Sequence, residues 1–165
     1  TYLNPVFHYG YEAFFERCQD VGIDGIIIPD LPFEEKEEVD VVASRYGIDL
    51  ISMIAPTSKE RIRKIAKGAK GFLYVVSSMG VTGERTNITT DIGGMLKEIR
   101  SVSSVPAAVG FGIHTPDQAA EISKTADGVI VGSAVVKLIE KYGSHAGGHL
   151  YTYVRMMKET VSHSE

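Results

Sequence analysis

The sequence predicts an α/β fold, a parallel sheet covered by helices, on three observations. Five short, continuously apolar runs recur along the 165 residues. A helical pattern with period near 3.6 follows each run. The turn residues fall at the junctions between run and helix. Apolar strands separated by helices suit a sheet buried on both faces, which parallel pairing requires. Two architectures fit, an open doubly wound sheet and a (β/α)8 barrel.

The elements follow in order. YEAFFERCQDVG (11–22) is an amphipathic helix, and DGIIIPD (24–30) is a strand with three consecutive isoleucines. FEEKEEVDVVASRYG (33–47) is helical and IDLISMIAP (48–56) is a strand. SKERIRKIAKGAK (58–70) is a helix with Ser58 as its expected cap, and GFLYVVSS (71–78) is a strand. TDIGGMLKEIRSVS (90–103) is a helix weakened by two glycines. VPAAVGFG (105–112) is a strand, and TPDQAAEISKTA (115–126) is a helix. In that helix Thr115, Pro116 and Gln118 form a capping box with proline at the first position. DGVIVGS (127–133) is a strand, AVVKLIEKYG (134–143) a helix, and HLYTYVRMMKETV (149–161) a closing helix. The Gly/His patch GSHAGGH (143–149) reads as a linker.

Bulk composition narrows the function classes. A net charge of −4 offers no basic excess for nucleic acid or an anionic membrane. No run approaches the roughly 18 apolar residues of a membrane span. The one cysteine, Cys18, rules out an intrachain disulfide framework and suits a reducing, cytoplasmic setting. Its helical spacing from Phe14 and Phe15 assigns it to the core. The chain opens TYLNPVF without an initiator methionine, so residue 1 reads as an interior position of a longer protein.

In both architectures ligands sit at the carboxyl ends of the strands. Two consecutive ends, Phe111-Gly112 and Gly132-Ser133, carry glycine just before a helix. A helix start presents free N–H groups, and glycine lets an anion approach them. The pair reads as a split cradle for one phosphate. The loop SMGVTGERTNITTD (78–91) is a candidate lid, with Gly83 adding a further N–H. Asp30 is the only acid at a strand end. Glu34, Glu35, Glu37 and Glu38 begin a helix, where acids face water and favour the dipole. His114 reads as a surface histidine of a ligand-facing loop. His145 and His149 lack the further ligands that zinc needs, so no metal site is expected.

LNPVF, IIIPDLPFEE, ISMIAPTS, YVVSSMGVTG, VGFGI and DGVIVGSAVV, in this order and spacing, resemble the tryptophan synthase alpha subunit family across essentially the whole chain. The resemblance implies a (β/α)8 barrel of which this chain is a single partial domain, strands four to eight. It implies cleavage of indole-3-glycerol phosphate into indole and glyceraldehyde 3-phosphate. Gly83, Phe111, Gly112, Gly132 and Ser133 match phosphate-binding positions, Tyr74 a tyrosine beside the reacting substrate, and Thr82 the lid threonine. Asn4, Asp30 and Pro32 match the face that docks a beta subunit in an alpha2beta2 assembly. The resemblance puts pyridoxal phosphate only in that partner, and no cofactor in this subunit. The two catalytic carboxylates of the family, a Glu and an Asp, match positions upstream of Tyr2. No catalytic pair is therefore expected here, and the 165 residues alone are expected to be inactive. Another sugar-phosphate barrel enzyme, or a non-catalytic module that binds phosphate and docks a partner, are the alternatives. Five strands of eight leave edges at 24–30 and 127–133. The barrel-facing set is expected to be Ile26, Ile28, Ile51, Met53, Leu73 and Val75, or their alternates.

Overall fold

The five apolar runs become five parallel strands in a computed structural model that describes residues 1–76, 91–110 and 112–162. They are β1 (Gly25–Ile27), β2 (Asp49–Ile54), β3 (Leu73–Val76), β4 (Ala107–Gly110) and β5 (Gly128–Ile130). Their order in the sheet is their order in the chain, β1-β2-β3-β4-β5. A doubly wound sheet reverses direction at a switch point. Here every crossover steps the same way, and right-handed crossovers then place all helices on one side. The result is five strands of a barrel wall, with β1 and β5 at its edges.

Register decides which side chains face which way. Ile26 pairs with Leu50, Ser52 with Leu73, Ile54 with Val75, Val75 with Val109, and Val109 with Val129. Neighbours in register share a face. Ile54, Leu73, Val75 and Val109 pack with Ile62, Ile65, Leu96 and Ile99 of the helices. The opposite face carries Ile27, Ile51, Met53, Tyr74, Val76, Ala108, Gly110 and Ile130. Of the expected barrel-facing set, only Ile51 and Met53 point inward. Ile26, Leu73 and Val75 lie on the helix side, and Ile28 is buried there too. The expected list mixed the two parities, and a one-residue step flips a face.

Eight helices surround this wall among the described residues. The first, α1 (Leu3–Tyr9), is not marked by periodicity in the sequence. Pro5 is tolerated because it sits in the first turn, where no N–H is needed. The chain turns at Gly10, φ 92°, into α2 (Tyr11–Asp20). A 3-10 turn at Phe33–Glu35 leads to α3 (Lys36–Arg45). Ser58 caps α4 (Lys59–Lys67), accepting from the Arg61 N–H. Asp91 caps α5 (Ile92–Arg100), accepting from the Gly94 N–H at 2.8 Å. A Cβ on Gly94 would lie 2.2 Å from that carboxylate. One of the two glycines that weaken the helix is thus what lets its cap close. The Thr115 capping box opens α6 (Pro116–Ser123) as expected. After α7 (Ser133–Tyr142), the patch that reads as a linker is a 3-10 turn, Gly143–His145, and the first turn of α8 (Ala146–Ser162). Gly143, φ 52°, makes the corner and the rest of the patch is helical.

The core has two parts. One lies under β3–β5, α4–α6 and α8; the other joins α1–α3 to β1 and the start of β2, and it contains buried Cys18. No helix is long and apolar enough to cross a membrane among the described residues.

Candidate functional site

The last register pair between β4 and β5 is Gly110 with Ile130. Gly112 and Gly132 each lie two residues beyond it, on neighbouring strand tips. Their glycines serve different ends. Gly112 has φ +79°, a conformation that strains any side-chain-bearing residue. Gly132 has an ordinary φ of −115°, but a Cβ there would meet nothing within 4 Å. Among the described residues the space beside it is open. Gly132 is also the N-cap residue of α7, and no side chain among the described residues caps the helix. The Val136 N–H donates to the Gly132 carbonyl at 3.1 Å. The N–H groups of Ser133, Ala134 and Val135 therefore precede the first intrahelical bond. Together with the positive end of the helix dipole they suit an anion.

The turn that carries Gly112 is tied down from three sides. His114 Nδ1 lies 2.8 Å from the Gly112 carbonyl oxygen. A carbonyl can only accept, so Nδ1 carries the proton. The Gln118 side-chain oxygen accepts from the N–H groups of His114 (3.0 Å) and Thr115 (3.2 Å). From α8, the Tyr153 hydroxyl donates to the His114 carbonyl at 3.0 Å. His114, expected on the surface, is half-buried and fixes the backbone of the turn.

Tyr74 projects from β3 on the inner face, in register with Met53 and Ala108. A Cβ on Gly110 would stand 2.5 Å from the Tyr74 hydroxyl oxygen and 2.7 Å from its ring. The ring thus rests on bare backbone at the tip of β4. Burial pushes the Tyr74 phenol above its ordinary pKa, so it stays protonated at neutral pH. Tyr74, Gly112, Gly132 and Ser133 gather at the tips of β3–β5. Thr82, Gly83 and Phe111 lie outside the described residues.

Asn4, Asp30 and Pro32 sit at the other end of the wall, all exposed. Asp30 Oδ1 accepts from the Leu3 N–H at 2.8 Å and so caps α1 across 27 positions. The Thr1 nitrogen donates to the Ile27 carbonyl at 3.1 Å. These bonds bring Asn4 beside the Asp30–Pro32 turn. Among the described residues, Asp30 is the only carboxylate just past the carboxyl end of a strand. Glu34 forms a two-point ion pair with Arg61 at 2.7 and 3.1 Å. His149 stacks on Tyr142, with ring centroids 3.6 Å apart. No cluster of His, Cys, Asp and Glu suited to a metal exists among the described residues.

Three contributors escaped the sequence reading. Gly110 seats Tyr74, Tyr153 braces the Gly112 turn, and Lys36 enters a cavity between β2 and α3. The first two depend on segments at least 36 residues apart meeting in space, and no local pattern marks them. Lys36 had a local signal, a cation at a helix start among acids, but it reads as surface charge.

A family model described as tryptophan synthase alpha chain matches residues 1–162. The tryptophan synthase alpha chain of Lacticaseibacillus casei is 49% identical over 161 residues, 98% of this chain and 60% of that protein. That of Geobacillus thermodenitrificans is 52% identical over 141 residues, 86% of this chain and 53% of that protein. Among solved structures, Mycobacterium tuberculosis tryptophan synthase superposes with a TM-score of 0.86 at 33% identity, covering 98% of this chain and 60% of that one. A Pyrococcus furiosus tryptophan synthase α2β2 complex gives 0.83 at 30% identity, covering 96% and 64%. The chain spans about three fifths of the length of the first of these relatives.

Proposed function

The chain belongs to the tryptophan synthase alpha chain family, and from that membership we propose that it serves tryptophan biosynthesis by carrying the phosphate-binding half of a lyase site. The substrate is indole-3-glycerol phosphate and the products are indole and glyceraldehyde 3-phosphate. The observation that carries this reading is the pairing of Gly112 and Gly132 on adjacent strand tips, with open space and free helix N–H groups beside Gly132.

In the reaction a carbon–carbon bond breaks between indole and the glycerol phosphate. The indole ring carbon gains a proton, and a glycerol hydroxyl loses one as it becomes the aldehyde. Gly112, Gly132 and Ser133, joined by Gly83 and Phe111, grip the phosphate and so fix the scissile bond. Tyr74 stands beside the reacting carbons as a neutral hydroxyl, and Thr82 closes the lid. Proton transfer falls to a Glu and an Asp supplied from outside these residues. Each such group is worth roughly 10²–10⁴-fold in rate. The 165 residues by themselves bind without turning over, and no cofactor is needed in this subunit. Asn4, Asp30 and Pro32 form the docking face for a beta subunit that holds pyridoxal phosphate.

Calorimetry with indole-3-glycerol phosphate tests the cradle. The chain is expected to bind it, and Gly132→Val to abolish binding with an unchanged circular dichroism spectrum. Unaltered affinity in that variant removes the cradle from the account. Joining the amino-terminal two fifths of the Lacticaseibacillus casei relative to the chain should produce indole release. Turnover by the unextended chain at a comparable rate would overturn the division of labour.

A further inference from the structure

A cavity of about 370 Å³ opens at the tips of β1 and β2, under the turn between β1 and α3. It lies beyond the point where β1 stops pairing with β2. The first half of β2 pairs with β1 through Ile51, and its second half, from Ser52, pairs with β3. The cavity is walled on the helix side by Leu31, Phe33, Leu50 and Ile65 and from the inner face by Ile51, Met53 and Val76, all apolar. Lys36 enters it from the first turn of α3.

The Lys36 amine is poorly provided for. Nζ donates to Ser52 Oγ at 3.0 Å, and Ser52 is only 7% exposed. No carboxylate comes within ion-pair distance of Lys36 among the described residues. Asp40, one turn further on, is engaged by Lys70 at 3.0 Å, and its other oxygen is buried without a partner. Arg61 also lines the cavity, but its guanidinium is taken up by Glu34. Half-buried, the amine is pushed below its ordinary pKa by desolvation, with the Lys70 charge adding to the shift and the charges of Asp40 and Asp49 only partly offsetting it. The site has a cation, a serine hydroxyl and apolar walls, and among the described residues no carboxylate pairs with the cation.

We propose that this cavity binds a small carboxylate with an apolar body, its head group on Lys36 and Ser52 and its body against Phe33, Leu50 and Ile65. The volume lies within the range of small-molecule sites. A carboxylate suits it better than a phosphate. Two donors satisfy the former, whereas a dianion needs more, and the spare Asp40 oxygen repels a second negative charge. The site is separate from the proposed phosphate cradle. Ser52 and Leu50 face the helices near one edge of the sheet, while Gly112 and Gly132 stand at the tips of β4 and β5.

Titration with phenylacetate and with phenylacetamide tests the proposal. The acid is expected to bind at least about tenfold more tightly than the amide, as a charge-assisted hydrogen bond provides. Lys36→Met should erase that preference, and Gly132→Val should leave it intact, which separates this site from the phosphate cradle. In the unsubstituted chain, phenylacetate should also slow acylation of Lys36 by an amine-reactive ester, read by peptide mass spectrometry. Absence of phenylacetate binding, equal binding of acid and amide, or an unprotected Lys36 overturns the proposal.

Discussion

At Gly110, one missing methyl group sets the position of an aromatic ring. Tyr74 occupies the volume that a side chain on Gly110 would fill, at 2.5 Å from its hydroxyl oxygen. Gly110→Ala is therefore expected to cost about 1–3 kcal/mol, the usual penalty of overpacking. In a Tyr74→Ala background the same substitution should cost under about 0.5 kcal/mol, since the clash has gone. Urea denaturation of the four proteins gives the coupling directly. Equal costs in both backgrounds would mean the ring does not depend on the glycine. Sequence reading named Tyr74 and Gly112 but passed over Gly110, because nothing near residue 110 announces a ring from residue 74.

Glu98 shows how one residue joins two elements. It lies on α5 at 9% exposure and meets two cations of α4, Lys59 at 3.1 Å and Arg63 at 2.7 Å. The hydrogen bond from Lys59, then that from Arg63, holds its carboxyl below the ordinary glutamate range. A depressed folded-state pKa contributes stability above the unfolded value. That contribution is lost as pH falls through the folded value. Glu98→Gln should therefore unfold at lower urea than the native chain at pH 7. Between pH 5 and pH 2 its midpoint should fall less steeply, and an acid slope equal to the native one would exclude the pair as its source. The ends of the neighbouring helices were legible in advance. Ser58 and Thr115 cap where local spacing says they should, because a cap needs only residues three apart. The missed α1 is the counterexample, since its capping carboxylate, Asp30, comes from 27 positions away.

Across the whole molecule, stability is distributed unevenly. β3 and β4 have neighbours on both sides, and Leu73, Val75 and Val109 are fully buried. β1 and β5 are half-buried throughout and paired on one side only among the described residues. A polar stripe of Lys36, Asp40 and Ser44 runs along α3, and Lys70 bonds both Asp40 and Ser44. Native-state hydrogen exchange should therefore find the slowest amides in Leu73–Val76 and Ala107–Gly110. Those of Gly25–Ile27 and Gly128–Ile130 should open with at least about tenfold larger equilibrium constants. Uniform protection across all five strands would show that the sheet opens as one unit.

The sequence by itself determined the alternation of strand and helix, the parallel sheet, the caps of α4 and α6, and the glycines at two consecutive strand ends. These follow from apolar period and from contacts within a few residues. Tertiary structure decided the single winding direction, the inward set of side chains, the seat of Tyr74 and the burial of Lys36 beside Ser52. Each of those depends on register between distant segments. Register is a property of paired strands, and a shift of one residue exchanges the two faces of a sheet.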